Sequence, residues 1–254
     1  MKINSNTVLI TGGSSGIGLA IAKAFLNLNN QVIICGRNQQ KLAQASQTYP
    51  KLHTFLCDIT QPDQVSEMFT AIKSQFGELN LLVNNAGIIK FYDFIHDEDA
   101  LNSGEQEIAT NLLGTLRVTK SALPLLLNGQ ESAIVTLSSI VALVPSANMG
   151  IYAATKAALH SFSRSLRQQL EQTTVKVFEV MPPFVDTEAI EQIKADKVSP
   201  AEVAEALIKG LRTNNYEIRV GPAKALYFAH RLSPAKAEDI LKQLVSKAFK
   251  VQMT

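Results

Sequence analysis

Tyr152 and Lys156 stand four residues apart, so on a helix both side chains project from one face onto the same target. Ser139 lies thirteen positions before Tyr152, at the end of the apolar run AIVTLSS, which reads as a buried strand. A hydroxyl at the carboxyl end of a strand, facing a tyrosine/lysine pair on the next helix, can polarise a carbonyl and protonate it. Reduction of a carbonyl leaves negative charge on oxygen, so a site for it must supply hydrogen-bond donors and one proton. Tyr152 is the candidate acid in reduction and the candidate base in oxidation. A free tyrosine, with a pKa of about 10, is a poor base at neutral pH. A nearby ammonium from Lys156 is expected to lower it by roughly 1–3 units. His53, His96, His160 and His230 show no metal-ligand spacing, this chemistry requires no metal, and His160 reads as structural.

Such a constellation needs a scaffold, and the chain supplies a regular one. Short apolar runs alternate with helix-like stretches: Thr7–Thr11, Gln31–Cys35, His53–Cys57, Leu79–Val83, Ala133–Leu137, Val175–Val180 and Tyr216–Val220 read as strands. Helices are expected over Ser15–Asn27, Gln39–Thr48, Pro62–Phe76, Ser103–Leu127, Tyr152–Glu171 and Val198–Arg212, the last with Ser199 as N-cap and Pro200 as first helical residue. Valine, isoleucine and leucine runs without alternation are expected of parallel strands covered on both faces. The fold class is therefore α/β, a single-domain Rossmann-type doubly wound parallel sheet of about seven strands with helices on both faces. One domain is expected to span residues 1–254, with a small substrate cap and helical C-terminal region around 187–254.

Composition narrows the functions. The 254 residues are 46% hydrophobic and 18% charged with a net charge of +2, a balance that gives no reason to expect nucleic acid or membrane as partner. No run of eighteen apolar residues is present, so no integral membrane segment is expected, and the N-terminus reads as a strand entering a glycine loop rather than a signal peptide. Cys35 and Cys57 read as small buried hydrophobes in a reducing, cytoplasmic setting.

The first strand ends in Thr11-Gly12-Gly13-Ser14-Ser15-Gly16-Ile17-Gly18. Glycine permits a tight turn and close approach of backbone to ligand, and the following helix offers free N–H groups to a pyrophosphate. The spacing Gly-x-x-x-Gly-x-Gly departs from the common Gly-x-Gly-x-x-Gly dinucleotide fingerprint. With Asn84-Asn85-Ala86-Gly87, Asn111, Ser139 and Tyr152-x-x-x-Lys156 in the same order, the chain resembles the short-chain dehydrogenase/reductase family over most of its length. Extended members, often epimerases, typically carry Thr-Gly-x-x-Gly-x-x-Gly and longer substrate domains, which this chain lacks.

The resemblance implies a catalytic set of Asn111, Ser139, Tyr152 and Lys156, with Ser139 preferred over Ser138 by the family spacing. Lys156 would bond the nicotinamide ribose, and Asn111 would help place a water relaying protons to Lys156. Gly12, Ser14, Ser15, Gly16, Ile17 and Gly18 would cradle the cofactor phosphates. Asp58, beside Ile59, would meet the adenine, its alternative being a cap on the helix near Pro62. Asn85, Ala86 and Gly87 would line the cleft, while Asn84 reads as structural. Gly36 stands where NAD-preferring relatives place an acid, and Arg37 follows; an arginine there accommodates a 2′-phosphate, which implies NADP(H). A guanidinium–phosphate contact is worth roughly 1.5–3 kcal/mol, about ten- to a hundredfold in preference.

Met181-Pro182-Pro183-Phe184-Val185-Asp186-Thr187 keeps Pro182, Val185 and Thr187 of the family's nicotinamide segment but replaces a glycine by Pro183, which stiffens the loop. This form resembles the DltE-like branch. Phe91, Tyr92 and Phe94 suggest an apolar mouth, with ordinary core packing as the alternative. The tail from Pro222 to Met253, with Leu226, Ile240, Leu241, Leu244, Val245 and Phe249 among its apolar residues, reads as helices over the substrate mouth or a neighbouring subunit. A homodimer or homotetramer is implied by the family. The reading is an NADP(H)-dependent oxidoreductase interconverting a carbonyl and a secondary alcohol; the alternative is a non-catalytic NADP(H)-binding redox sensor.

Overall fold

The computed structural model describes residues 1–250, with side chains to residue 246; Phe249 and Met253 of the expected tail lie outside the described side chains. Seven strands form one sheet: β1 (Thr7–Thr11), β2 (Gln31–Gly36), β3 (Leu52–Leu56), β4 (Leu81–Asn84), β5 (Ser132–Leu137), β6 (Val175–Met181) and β7 (Glu217–Arg219). The order is β3-β2-β1-β4-β5-β6-β7, and every pairing is parallel. The chain moves from β1 outward to β3 and then returns to β4 on the other side of β1. That reversal opens a crevice at the carboxyl ends of β1 and β4, where open α/β sheets hold ligands.

The strands lack alternation because both their faces are covered. Val8, Ile10, Val32 and Ile34 point into one core with Ile21, Phe25 and Leu207. Leu9, Ile33 and Leu82 point into the other, with Phe69, Ile72, Val118 and Leu166. The helices are α1 (Gly16–Leu26), α2 (Gln39–Thr48), α3 (Pro62–Phe76), α4 (Ala100–Glu107), α5 (Thr115–Leu127), α6 (Gly150–Gln169), α7 (Pro200–Thr213), α8 (Ala223–Leu232) and α9 (Pro234–Lys250). Helix α7 starts as its sequence predicts, with Pro200 as first helical residue between Ser199 and Glu202, which form a reciprocal capping box.

One departure and one expected feature bear on the site. The expected helix over Ser103–Leu127 is three pieces, because a π-helical segment, Ile108–Gly114, joins α4 to α5. Such segments are frequent at functional sites; this one carries the buried Asn111. The C-terminal region forms two helices, and Ala223, Ala237, Leu241 and Val245 pack on Ile140, Val141, Val144 and Met149, in the segment that links β5 to α6. The tail thus lies over the segment that carries Ser139.

Candidate active site

The phosphate end is built from backbone. Gly12 has φ +62°, and a Cβ there would lie 2.9 Å from Ala86 Cα, so only glycine permits this turn against the neighbouring loop. Asn85 holds the two loops together: its Nδ2 donates to Thr11 O at 2.9 Å and Gly12 O at 3.0 Å. Thr11 Oγ1 accepts from the backbone N–H of Asn85 and Ala86, each at 3.0 Å. Helix α1 then begins without a side-chain cap from Ser15 and without an acid in its first turn. Its leading N–H groups therefore face the crevice uncompensated, the donor set a pyrophosphate requires. On this test the residues fit a dinucleotide.

The chemical end lies across the same cleft. Tyr152 is in the first turn of α6, and Lys156 follows one turn on, with its Nζ 5.5 Å from the tyrosine ring centroid. Lys156 is buried and its Nζ donates to Leu137 O at 2.8 Å, at the end of β5. Burial pulls the lysine pKa down to about 8, against a smaller upward pull from the Glu179 carboxylate. The Tyr152 phenol moves the other way: burial, and then the charge of Glu107, push it above its ordinary value. The lowering expected from Lys156 is not found, and the shift runs the opposite way. Tyr152 is held as a neutral phenol, the protonation state a proton donor needs.

The two candidate serines separate cleanly. Ser138 Oγ donates to the Glu179 carboxylate and, at 3.3 Å, to Val180 O, so it is committed inside the protein. Ser139 Oγ makes only long contacts, donating to Pro182 O at 3.5 Å and accepting from Val141 N at 3.3 Å. Its hydroxyl is the one free to turn toward a ligand.

A continuous cleft of about 1500 Å³ joins the two ends. Its wall includes Gly12, Ser14, Ser15, Gly16, Ile17, Arg37, Asp58, Ile59, Asn85, Ala86, Gly87, Ser139, Tyr152, Lys156, Pro182, Val185 and Thr187, all expected from sequence. Two expected residues stand behind it. Gly18 is a packing glycine, since a Cβ there would lie 2.3 Å from Gly12 O and 2.5 Å from Asn85 Nδ2. Asn111 is fully buried, and its side chain grips Ile88 by both backbone groups, donating to the carbonyl at 2.9 Å and accepting from the N–H at 2.8 Å. It fixes the strand-end loop behind Gly87.

Asp58 does not cap α3, whose N-cap is Gln61; its Oδ1 accepts from Thr60 N and Oγ1 at 2.9 and 2.8 Å. Arg37 makes no ion pair or hydrogen bond among the described residues, whereas Lys41 beside it pairs across the cleft with Glu188. Phe91 packs with Ile89 and Phe184 against Ile190, beside the cleft, whereas the other two loop aromatics do not form the mouth. Tyr92 is buried, its hydroxyl donating to Glu107 at 3.3 Å and accepting from Ile151 N at 3.1 Å, and Phe94 points to solvent. The apolar lining comes instead from Ile88, Ile89, Phe184 and Ile190, and from Leu226, Ile240 and Leu244 on α8 and α9.

Sequence reasoning passed over Glu107 and Glu179, two fully buried carboxylates near the site. Glu179 carries a readable signal, an acid inside the otherwise apolar run Val175–Met181.

Residues 6–198 match the family model described as short chain dehydrogenase. The chain belongs to this family. Among curated relatives, an uncharacterised oxidoreductase DltE of Bacillus subtilis is 42% identical over 225 residues, covering 86% of this chain and 89% of its own. A second, from Staphylococcus saprophyticus, is 30% identical and covers 87% of this chain and 99% of its own. A crystal structure of a short chain dehydrogenase from Burkholderia cenocepacia in complex with NADP superposes with TM-score 0.84 at 25% identity, over 95% of this chain and 99% of that one. A Burkholderia phymatum relative in complex with NAD also reaches TM-score 0.84, at 21% identity over 95% and 97% of the two chains, a likeness of fold. This chain is an oxidoreductase of the DltE-like branch, and a nicotinamide dinucleotide is the cofactor of its fold.

Proposed function

We propose that this protein is an NADP(H)-dependent reductase of a carbonyl compound with an apolar body, working reversibly on the corresponding secondary alcohol. The observation that carries the reading is one cleft with an uncapped glycine-loop helix and Arg37 at one end, and Ser139, Tyr152 and Lys156 at the other. The bound nicotinamide would supply a hydride to the carbonyl carbon. Ser139 Oγ donates a hydrogen bond to the carbonyl oxygen and orients it. Tyr152, neutral because it is buried near Glu107, gives that oxygen its proton. Lys156, anchored at Leu137 O, lies 5.5 Å from the tyrosine ring and supplies the positive charge that receives the resulting phenolate. Asn111 acts as a support, holding the Ile88 backbone that borders both cofactor and substrate space.

NADP(H) is favoured by the Arg37 guanidinium, open at the end of β2 with no acid beside it. An apolar substrate is favoured because Ile240 and Leu244 remain 46% and 51% exposed while lining the cleft. Half-exposed aliphatic side chains facing a concave site gain by burial against a ligand. The exposed Leu101, Ile108 and Leu113 along α4 and the π segment support a homo-oligomer through that face. The cytoplasm is the compartment in which the free buried thiols of Cys35 and Cys57 persist.

The test is NADPH oxidation with a panel of ketones and aldehydes of increasing alkyl size, repeated with NADH. Turnover that rises with apolar size and prefers NADPH is expected. Tight NADPH binding without oxidation across the panel would instead point to a redox sensor.

A further inference from the structure

One carboxylate lies inside the sheet where this chemistry does not use it. Glu179 is in β6, between Phe178 and Val180, and is fully buried. A charge in that position is costly unless paired and hydrogen-bonded. Its Oε1 accepts from Ser138 Oγ, and its Oε2 meets His160 Nδ1 at 2.8 Å. Both partners adjoin catalytic positions: Ser138 precedes Ser139, and His160 is one turn beyond Lys156 on α6. Three consecutive residues at the end of β5 thus have separate tasks. Leu137 O holds Lys156, Ser138 holds Glu179, and Ser139 faces the cleft.

We infer that Glu179, clamped by Ser138 and His160, is a positioning residue: a buried counter-charge that keeps Lys156 cationic and holds the β5 end so that Ser139 faces the carbonyl. The inference rests on the catalytic reading above. Burial alone works against a charged Lys156, and the Glu179 carboxylate is the group that opposes it. The other titratable or charged groups on α6 are Tyr152, His160, which meets Glu179 itself, and Arg164 and Arg167 farther along; facing the helix are Tyr92, at Ile151 N, and Glu107 at the end of α4, whose charge acts on Tyr152. The π segment presents uncharged Asn111 to Thr155, and β5 presents the Leu137 carbonyl. Removing the Glu179 charge leaves Lys156 more readily deprotonated, and the phenolate at Tyr152 then lacks its cation.

Glu179→Gln removes the charge and keeps the shape. In cofactor-free protein with ¹⁵N-labelled lysine, the Lys156 Nζ signal, assigned with Lys156→Arg, is expected to titrate about one pH unit or more lower. The alkaline limb of kcat for carbonyl reduction should move in the same direction, with NADPH Kd at pH 6 within about threefold of wild type. Glu179→Asp, which retains the charge, should restore the titration. Folded Glu179→Gln with an unmoved Lys156 titration overturns the proposal, even if turnover drops. Ser138→Ala covers the case in which Glu179→Gln does not fold: a raised carbonyl KM supports the clamp, and wild-type KM with a wild-type Lys156 titration overturns it. A shifted titration in a protein that reduces no carbonyl would support the charge relation and sink the catalytic reading.

Discussion

The two ends of the cleft are made of different materials. The phosphate end is backbone and short polar side chains: the Gly12 turn, the Asn85 bridge, Thr11 Oγ1 and the open start of α1. Each comes from a strand end or the first turn after it. The opposite end is apolar, assembled from Ile88 and Ile89 after β4, Phe184 and Ile190 after β6, and Leu226, Ile240 and Leu244 near the C-terminus. A phosphate needs N–H groups in a fixed geometry, which a few consecutive residues can supply. An apolar body needs only enclosed surface, which many unrelated segments can supply. Ser139, Tyr152 and Lys156 stand at the seam.

Breaking the seam should cost most. Tyr152→Phe is expected to lower kcat for carbonyl reduction by about 10²–10⁴-fold, with NADPH Kd within about threefold in a fluorescence titration. Near-wild-type turnover would move the acid elsewhere. Lys156 can be tested through stability. Its pKa falls from 10.5 in the unfolded chain to about 8 when folded, so below pH 8 both states are charged and the burial penalty is fully present. Between about pH 8 and 10.5 the unfolded chain holds more protons, and raising the pH should stabilise the fold by up to about 3 kcal/mol. Urea unfolding of cofactor-free wild type and Lys156→Met should show that rise only in wild type. Parallel curves would mean that Lys156 is not buried as a charge.

The remaining two predictions address the ends separately. Arg37→Asp should move the ratio of kcat/KM for NADPH over NADH toward NADH by about ten- to a hundredfold, while the carbonyl KM stays put. A wild type that uses NADH as well as NADPH would remove the phosphate role. Leu244→Asp should raise the KM for a bulky apolar ketone by about tenfold, the loss of one partly buried aliphatic contact, without altering NADPH Kd. Equal KM values for both proteins would place the substrate away from α9.

The Ser138/Ser139 pair shows where sequence reasoning needed help. Adjacent serines at a strand end are chemically identical on paper, and only an imported spacing chose between them. In the fold one is bonded to a buried glutamate and the other is not. The family pattern implies a phosphate cradle for Gly18 and a relay water for Asn111; in the fold neither lines the cleft, Gly18 packing against Gly12 and Asn85 and Asn111 gripping the Ile88 backbone. The loop aromatics offered a mouth or core filling, and Tyr92 takes the second, packed against Glu107 and Ile151.

By itself the sequence determined the doubly wound sheet, the glycine turn and the Tyr152/Lys156 pair. Each depends on residues close in the chain, whose periodicity and backbone freedom are local properties. Tertiary structure alone decided which serine is free, how α8 and α9 close over Ser139, and that the buried Glu179 takes Ser138 as its partner. Those relations join residues dozens of positions apart, and they exist only because buried polar groups must find partners once the layers are packed.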